Sequence, residues 1–146
     1  MDHSNRLVLL AEDENDEYIG FLRAINKQAA DVQVMRLDNG YSLLNMLQTA
    51  IQPYAIFLDV NMPYKNGLNT LVEIREMERF KNVPVIMFSK PDYITNVDLA
   101  YEFGANFFIK KCVSEEKLSA IISRIFSSSY FQEGKQPPRS EFLIEE

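Results

Sequence analysis

The sequence has few of the residues that most catalytic and metal sites use. Its 146 residues include one cysteine, one histidine and no tryptophan. A single cysteine, Cys112, excludes an internal disulfide and suits a reducing compartment. The lone His3 lies in a polar leader, which argues against histidine catalysis and histidine-rich metal sites. The leader has no apolar signal-peptide core, and no segment approaches the ~20 apolar residues of a membrane span. We therefore expect a soluble, cytoplasmic protein that does not associate with membranes.

Basic residues are outnumbered, with 15 Lys and Arg against 21 Asp and Glu and a net charge of −6. Because non-specific nucleic-acid binding needs a basic face, we expect no direct nucleic-acid partner. The length suits one domain, predicted over residues 1–128. Serines from Ser127, then Gly134 and Pro137-Pro138, mark residues 129–146 as a C-terminal tail. This tail is interpreted as flexible, or as an arm that docks on this chain or a partner.

Short apolar runs alternate with helical stretches along the chain. The predicted strands are Leu7–Ala11, Val32–Leu37, Tyr54–Leu58, Val83–Phe88 and Asn106–Ile109. The predicted helices are about Asn15–Ala30, one that Pro53 stops, one after Gly67, about Tyr93–Phe103, and one that Ser114 opens. Asn39 and Ser114 are predicted as helix caps and Gly104 as a left-handed cap. The alternation predicts an α/β protein with a parallel sheet.

Polar residues follow the predicted strands at the point where each strand ends. They are Glu12-Asp13, Asp59, Ser89 and Lys110. Because ligands bind at the carboxyl ends of parallel strands, we expect these side chains to meet at one edge of the sheet. That convergence is the functional signal.

Three carboxylates at one edge need a counter-charge. Two like charges about 4 Å apart repel by about 4 kcal/mol at an effective dielectric near 20. Glu12, Asp13 and Asp59 would therefore hold protons or recruit a cation, with Mg²⁺ the first candidate and Mn²⁺ the second. One carboxylate could then attack phosphorus, while Lys110 and Ser89 bind the phosphoryl oxygens.

The run Phe57–Pro63, followed by Gly67, resembles the phosphorylation motif of response-regulator receiver domains. The other polar residues above, together with Gly104-Ala105, stand in that family's order and approximate spacing. The resemblance extends from about Arg6 to Ser127. It implies a flavodoxin-like (βα)5 doubly wound parallel sheet with strand order 2-1-3-4-5.

The resemblance also implies a role for each acidic residue. Asp59 would accept a phosphoryl group from a histidine kinase or phosphotransfer protein. Asp13 and Asp59 would ligate Mg²⁺ directly, with the Asn61 carbonyl as a third protein ligand. Glu12 would act through a metal-bound water.

Residues of the fourth and fifth strands complete the implied site. Ser89 and Lys110 would bind the phosphoryl group. Ser89 and Phe107 would form the family's switch pair, although Phe107 is equally well interpreted as a core residue. The family usually has a small residue where this chain has Lys90, and a proline where it has Lys111. Pro91 cannot orient a hydrolytic water, so slow self-dephosphorylation is predicted.

No second domain that would serve as an output is predicted from this sequence. We expect a stand-alone receiver that catalyses only its own phosphorylation and dephosphorylation and signals to a downstream protein. The fourth helix, fifth strand and fifth helix are the expected reporting face, and Tyr93, Tyr101 and Phe107 there are suited to a homodimer interface.

Three other functions compete with this interpretation. A pseudo-receiver would bind a partner without phosphorylation, as Lys90 and Lys111 would allow. A haloacid-dehalogenase-like phosphatase needs a second aspartate two residues after the nucleophile, where this chain has Asn61. A flavodoxin-type flavin binder needs a loop of Gly, Ser and Thr after the first strand, whereas residues 12–16 are mostly acidic.

Overall fold

A parallel sheet of six strands forms the centre of the computed structural model, which describes residues 6–29, 31–89, 96–111 and 114–145. The strands are β1 (Arg6–Ala11), β2 (Val32–Leu37), β3 (Ala55–Asp59), β4 (Val85–Ser89), β5 (Phe107–Lys110) and β6 (Leu143–Ile144). The helices are α1 (Asn15–Asn26), α2 (Gly40–Leu47), α3 (Gly67–Glu76), α4 (Asn96–Glu102), α5 (Glu115–Ser127) and α6 (Ser129–Gln132). The strand order β2-β1-β3-β4-β5-β6 confirms the predicted flavodoxin-like order 2-1-3-4-5 and adds one strand.

Helices cover both faces of the sheet, so its central strands are buried throughout. Every residue of β3 and β4 is buried. Alternate side chains of each strand point to opposite faces and form two apolar layers. One layer packs against α2, α3 and α4, and the other against α1 and α5. In the second layer Phe57 meets Phe21 edge-on, with ring centroids 4.8 Å apart. No helix of the described residues is long and apolar enough to cross a membrane.

Local signals in the sequence set several helix ends. Asn39 accepts a hydrogen bond from the Ser42 N–H at the start of α2, and Ser114 accepts one from the Lys117 N–H at the start of α5. Gly104, with φ of 100°, follows α4 in the left-handed conformation that glycine adopts at low cost. These three predictions are confirmed. The predicted start of the fourth helix at Tyr93 lies outside the described residues.

Residues 129–145, here called the C-terminal arm, dock on this chain itself. Phe142 is fully buried, and its ring lies 5.0 Å from that of Tyr101 and 6.3 Å from that of Phe108. The two residues of β6 pair in parallel with Phe108 and Ile109. The tail packs against the rest of the chain through these contacts. Its apolar cluster at residues 142–144 supplies the buried side chains.

Asn106 links the C-terminal arm to the rest of the protein through its side-chain amide. Its Nδ2 donates to the Lys135 carbonyl at 3.1 Å, while its Oδ1 accepts from Arg75 Nη2 at 2.8 Å and from the Val85 N–H at 2.9 Å. Arg75 also donates to the Gly104 carbonyl, and burial lowers the pKa of its guanidinium to about 10. Because buried polar groups are costly when left unpaired, this network opposes detachment of the arm.

The arm should contribute to the stability of the whole domain. We expect Phe142→Ala to lower the free energy of unfolding by about 3–5 kcal/mol, because it removes a buried aromatic ring and leaves a cavity. Urea unfolding followed by circular dichroism measures this loss. The neighbouring Glu141 is exposed, so Glu141→Ala is the matched control and should change stability by less than about 0.5 kcal/mol. Equal stabilities of the two variants would contradict the role given to the arm.

Candidate functional site

The candidate site lies where the carboxyl ends of β1, β3, β4 and β5 meet. Glu12 directly follows β1, Asp59 is the last residue of β3, and Ser89 is the last residue of β4. Because the strands are parallel and in register, these residues reach the same edge of the sheet. Glu12, Asp59 and Ser89 are all buried, which places polar groups at the end of an apolar core.

Three carboxylates converge at this edge. Glu12, Glu17 and Asp59 each offer an oxygen, and these atoms all lie within 4.8 Å of one another. Glu17 belongs to the first turn of α1, where the helix dipole favours a negative charge. An all-oxygen donor set of this size fits a hard divalent cation such as Mg²⁺ or Mn²⁺ better than zinc, which prefers nitrogen and sulfur.

An ammonium group holds the three carboxylates together. Lys111 Nζ lies 2.5 Å from Glu17 Oε2, 3.0 Å from Asp59 Oδ2 and 3.3 Å from Glu12 Oε1. Burial lowers the pKa of Lys111, but attraction to Asp59 and hydrogen bonding to Glu17 raise it by more, so that the net shift is upward. Lys111 therefore stays charged at neutral pH.

Two further contacts fix where Lys111 lies. Its backbone N–H donates to the Ser89 carbonyl at 2.8 Å. Its ammonium stands 5.0 Å from the centre of the Phe88 ring, within the range of a cation–π interaction. The lysine is thus held by its backbone and by its charged end.

The lysine beside Asp59 is Lys111 and not Lys110, which the sequence analysis had placed there. β5 ends at Lys110, whose register partner is Ser89. Lys111 is the first residue after β5, just as Glu12 is the first residue after β1. Successive residues of an extended chain point in opposite directions, so Lys110 and Lys111 do not face the same site.

The acidic residues also differ from expectation at one position. Asp13 is exposed and lies outside the group of three carboxylates. Its N–H donates to Glu12 Oε2 at 3.1 Å, and its carbonyl accepts from Arg36 Nη2 at 3.0 Å. Glu17, which the sequence analysis did not single out, supplies the third carboxylate instead.

The backbone after β3 is arranged around Asp59. The Asn61 N–H donates to Asp59 Oδ1 at 2.9 Å, which places the Asn61 backbone next to the carboxylate. At Gly67, a Cβ atom would lie only 2.2 Å from the Asp59 carbonyl oxygen. The Gly67 N–H also donates to the Val60 carbonyl at 2.9 Å. The start of α3 therefore approaches β3 more closely than any other residue type at position 67 would permit.

The predicted switch pair lies at the fourth and fifth strands. Ser89 is 1% exposed at the end of β4. Phe107 is buried in the apolar layer under α1 and α5, as its interpretation as a core residue implies. The next residue, Phe108, faces the opposite layer and contacts Phe142 of the arm. Lys90 and Pro91 lie outside the described residues, so predictions about them stay predictions.

The surroundings of Glu12 favour its protonated form. The pKa of Glu12 is raised from 4.5 to about 10. Burial is the largest cause, and hydrogen bonds with Glu17 and Asp59 and repulsion from Asp59 add to it. A neutral Glu12 reduces the repulsion among the three acids. The ammonium of Lys111 and the raised pKa of Glu12 thus both reduce the repulsion among the three carboxylates.

A sequence model of the response regulator receiver domain family matches residues 8–123. The chain belongs to this family. It is a receiver domain of two-component response regulators with a pocket of acidic residues at the carboxyl edge of its sheet.

Individual relatives align with this chain over most of its length. Response regulator Rcp1 of Synechocystis sp. is 25% identical over 134 residues, which are 86% of this chain and 91% of that protein. The structure of the phosphorylated cyanobacterial phytochrome response regulator RcpA superposes with a TM-score of 0.76 at 22% identity and covers 91% of this chain and 98% of RcpA. The structure of the Mn²⁺-bound form of Rcp1 gives 0.75 at 23% identity, with 91% and 99% covered. These structural likenesses establish the shared fold.

The protonated Glu12 predicts a pH dependence of stability in metal-free buffer. Because its folded pKa lies above its unfolded value of 4.5, its contribution is fully present below about pH 4.5 and is lost as the pH rises toward about 10. Between about pH 5 and about pH 8, the free energy of unfolding of Glu12→Gln should therefore fall less than that of the wild type. Urea unfolding with a chelator present measures both slopes.

The control for this prediction is Glu14→Gln, since Glu14 is exposed two residues away. It makes the same change of side chain without touching the buried acids, and its slope should match the wild type. A Glu12→Gln slope equal to that of the wild type would show that Glu12 is ionised in the folded protein.

Proposed function

We propose that this receiver domain takes a phosphoryl group onto Asp59, from a histidine kinase or a phosphotransfer protein, with Mg²⁺ bound at the acidic edge. The observation that supports the proposal most strongly is the environment of the Asp59 carboxylate. It is 3% exposed, Oδ1 accepts from the Asn61 N–H, and Oδ2 lies 3.0 Å from the Lys111 ammonium. Both oxygens are thus held in place, which positions the carboxylate for attack.

The proposed transfer is a single displacement at phosphorus. A carboxylate oxygen of Asp59 attacks the phosphorus of the donor phosphohistidine, forming an O–P bond as the N–P bond breaks. The imidazole nitrogen keeps the electron pair of the broken bond. Lys111 pairs with the phosphoryl oxygens, and the Ser89 hydroxyl donates to one of them. Positioning and charge neutralisation of this kind provide most of what phosphoryl transfer needs.

The donor set at the edge supports a divalent cation. Glu12 and Asp59 would hold Mg²⁺, or Mn²⁺ as a second choice, together with Asp13 and the Asn61 carbonyl that the family resemblance implies. When bound, the ion neutralises negative charge on the phosphoryl oxygens. The related Rcp1 has been crystallised in a Mn²⁺-bound form, which is consistent with this assignment.

A cavity of about 290 Å³ beside the site gives a donor room to approach. Glu17 and Lys111 line it, together with apolar residues that include Phe21, Phe57 and Leu118. It therefore joins the polar edge of the sheet to an apolar surface at α1 and α5.

Phosphorylation would signal by changing the surface near α4 and the C-terminal arm. A phosphoryl group adds about −1.5 to −2 charges at one point, enough to bias a two-state arrangement that a downstream protein recognises. A homodimer through α4, β5 and α5 remains a hypothesis. Because β6 pairs with β5, such a dimer would have to include the arm. In this proposal the protein catalyses only its own phosphorylation and dephosphorylation.

Asp59 should be the residue that becomes phosphorylated. After incubation with acetyl phosphate and Mg²⁺, we expect the wild type to gain the mass of one phosphoryl group in intact-protein mass spectrometry. Asp59→Asn should gain none. Asp31 precedes β2 at the opposite edge of the sheet, where it pairs with Arg6, so Asp31→Asn is the matched control and should behave as the wild type. A wild type that gains no mass would favour the pseudo-receiver.

The two consecutive lysines provide a second test. We expect Lys111→Met to slow phosphorylation by acetyl phosphate about 100-fold, because it removes the cation that pairs with the transferred group. Lys110→Met should leave the rate nearly unchanged. Circular dichroism establishes that both variants fold. The reverse order of the two rates would contradict the assignment of Lys111.

A further inference from the structure

Glu17 stands out because the phosphorylation motif does not account for it. Its contact with Lys111, at 2.5 Å, is the shortest of the three carboxylate contacts. Glu17 is 27% exposed and Lys111 16% exposed, so the pair is only partly screened by water. Any other anion that binds the Lys111 ammonium must therefore compete with Glu17.

A phosphoryl group on Asp59 would be such a competing anion. Lys111 cannot move far, because its backbone N–H donates to the Ser89 carbonyl and its ammonium lies over the Phe88 ring. Its ammonium has three N–H donors, and the carboxylates of Glu12, Glu17 and Asp59 already surround it. New phosphoryl oxygens would thus compete with Glu17 for the same donors, and the two anions would repel each other across the lysine.

We propose that Glu17 is a positioning residue that holds Lys111 in the unphosphorylated protein and competes with the phosphoryl group for its ammonium. Glu17 thereby lowers the fraction of the protein that is phosphorylated at equilibrium with a donor. The inference rests on the proposed phosphorylation of Asp59 and adds a residue that sets how far that reaction proceeds.

Helix formation alone does not require Glu17. Asp16 is also in the first turn of α1 and gives the same favourable interaction with the helix dipole. The apolar contacts of α1 come from Phe21, Ala24 and Ile25 on its buried side. Replacing Glu17 with glutamine should therefore leave the fold intact, which makes the substitution a usable test.

The test measures affinity for beryllofluoride, a phosphoryl mimic, in the presence of Mg²⁺ by fluorine NMR titration. We expect Glu17→Gln to bind it roughly five-fold more tightly than the wild type, the lower end of typical coupling between linked sites. Glu14→Gln removes an equal charge from an exposed residue nearby and should match the wild type. Glu17→Asp keeps the charge and should return the affinity toward the wild-type value.

A double-mutant cycle separates competition for Lys111 from a general effect of charge. In a Lys111→Met background, Glu17→Gln should no longer change the affinity, because the shared ammonium is gone. If Glu17→Gln bound beryllofluoride no more tightly than the wild type, the inference would be overturned but the proposed function would not. A persistent effect without Lys111 would overturn it as well. A wild type that binds no beryllofluoride and accepts no phosphoryl group would overturn the proposed function together with the inference.

Discussion

The whole acidic edge depends on one partly buried cation, the ammonium of Lys111. Removing several carboxyl groups from water would be strongly unfavourable if their charges were left unpaired. The lysine offsets this cost, and burial raises the pKa of Glu12, so Glu12, Glu17 and Asp59 can lie together at the end of an apolar core. The same contacts hold the Asp59 carboxylate in one orientation. The features that make the edge stable are also those that the proposed phosphorylation would use.

Much of the fold followed from local patterns in the sequence. The apolar runs of β3 and β4 are buried throughout, which is why they could be recognised without an alternating pattern. Asn39, Ser114 and Gly104 act at helix ends through interactions with their immediate neighbours. Asp59 could be predicted because it ends a strand, and the edge to which parallel strands bring their last residues is known in advance.

Features that depend on side-chain direction or distant pairing could not be predicted in the same way. With two lysines in succession, the sequence does not decide which side chain faces Asp59. A shift of one residue along a strand reverses the direction of the side chain. The position of Glu17 depends on how α1 packs against the sheet. The two-residue strand β6 has no periodicity of its own and forms because β5 offers it a partner. Lys111, which stands where the family usually has a proline, contacts Asp59 in the place expected of Lys110.

The docked arm also affects how the protein behaves among other copies of itself. Without β6, the strand Phe107–Lys110 would present open backbone N–H and C=O groups beside phenylalanine and isoleucine side chains. Such a strand can act as a template for aggregation. β6 is only two residues long and is followed by the acidic Glu145, so it is a poor template in its turn. The arm thereby gives the sheet a short, charged end that disfavours intermolecular strand pairing.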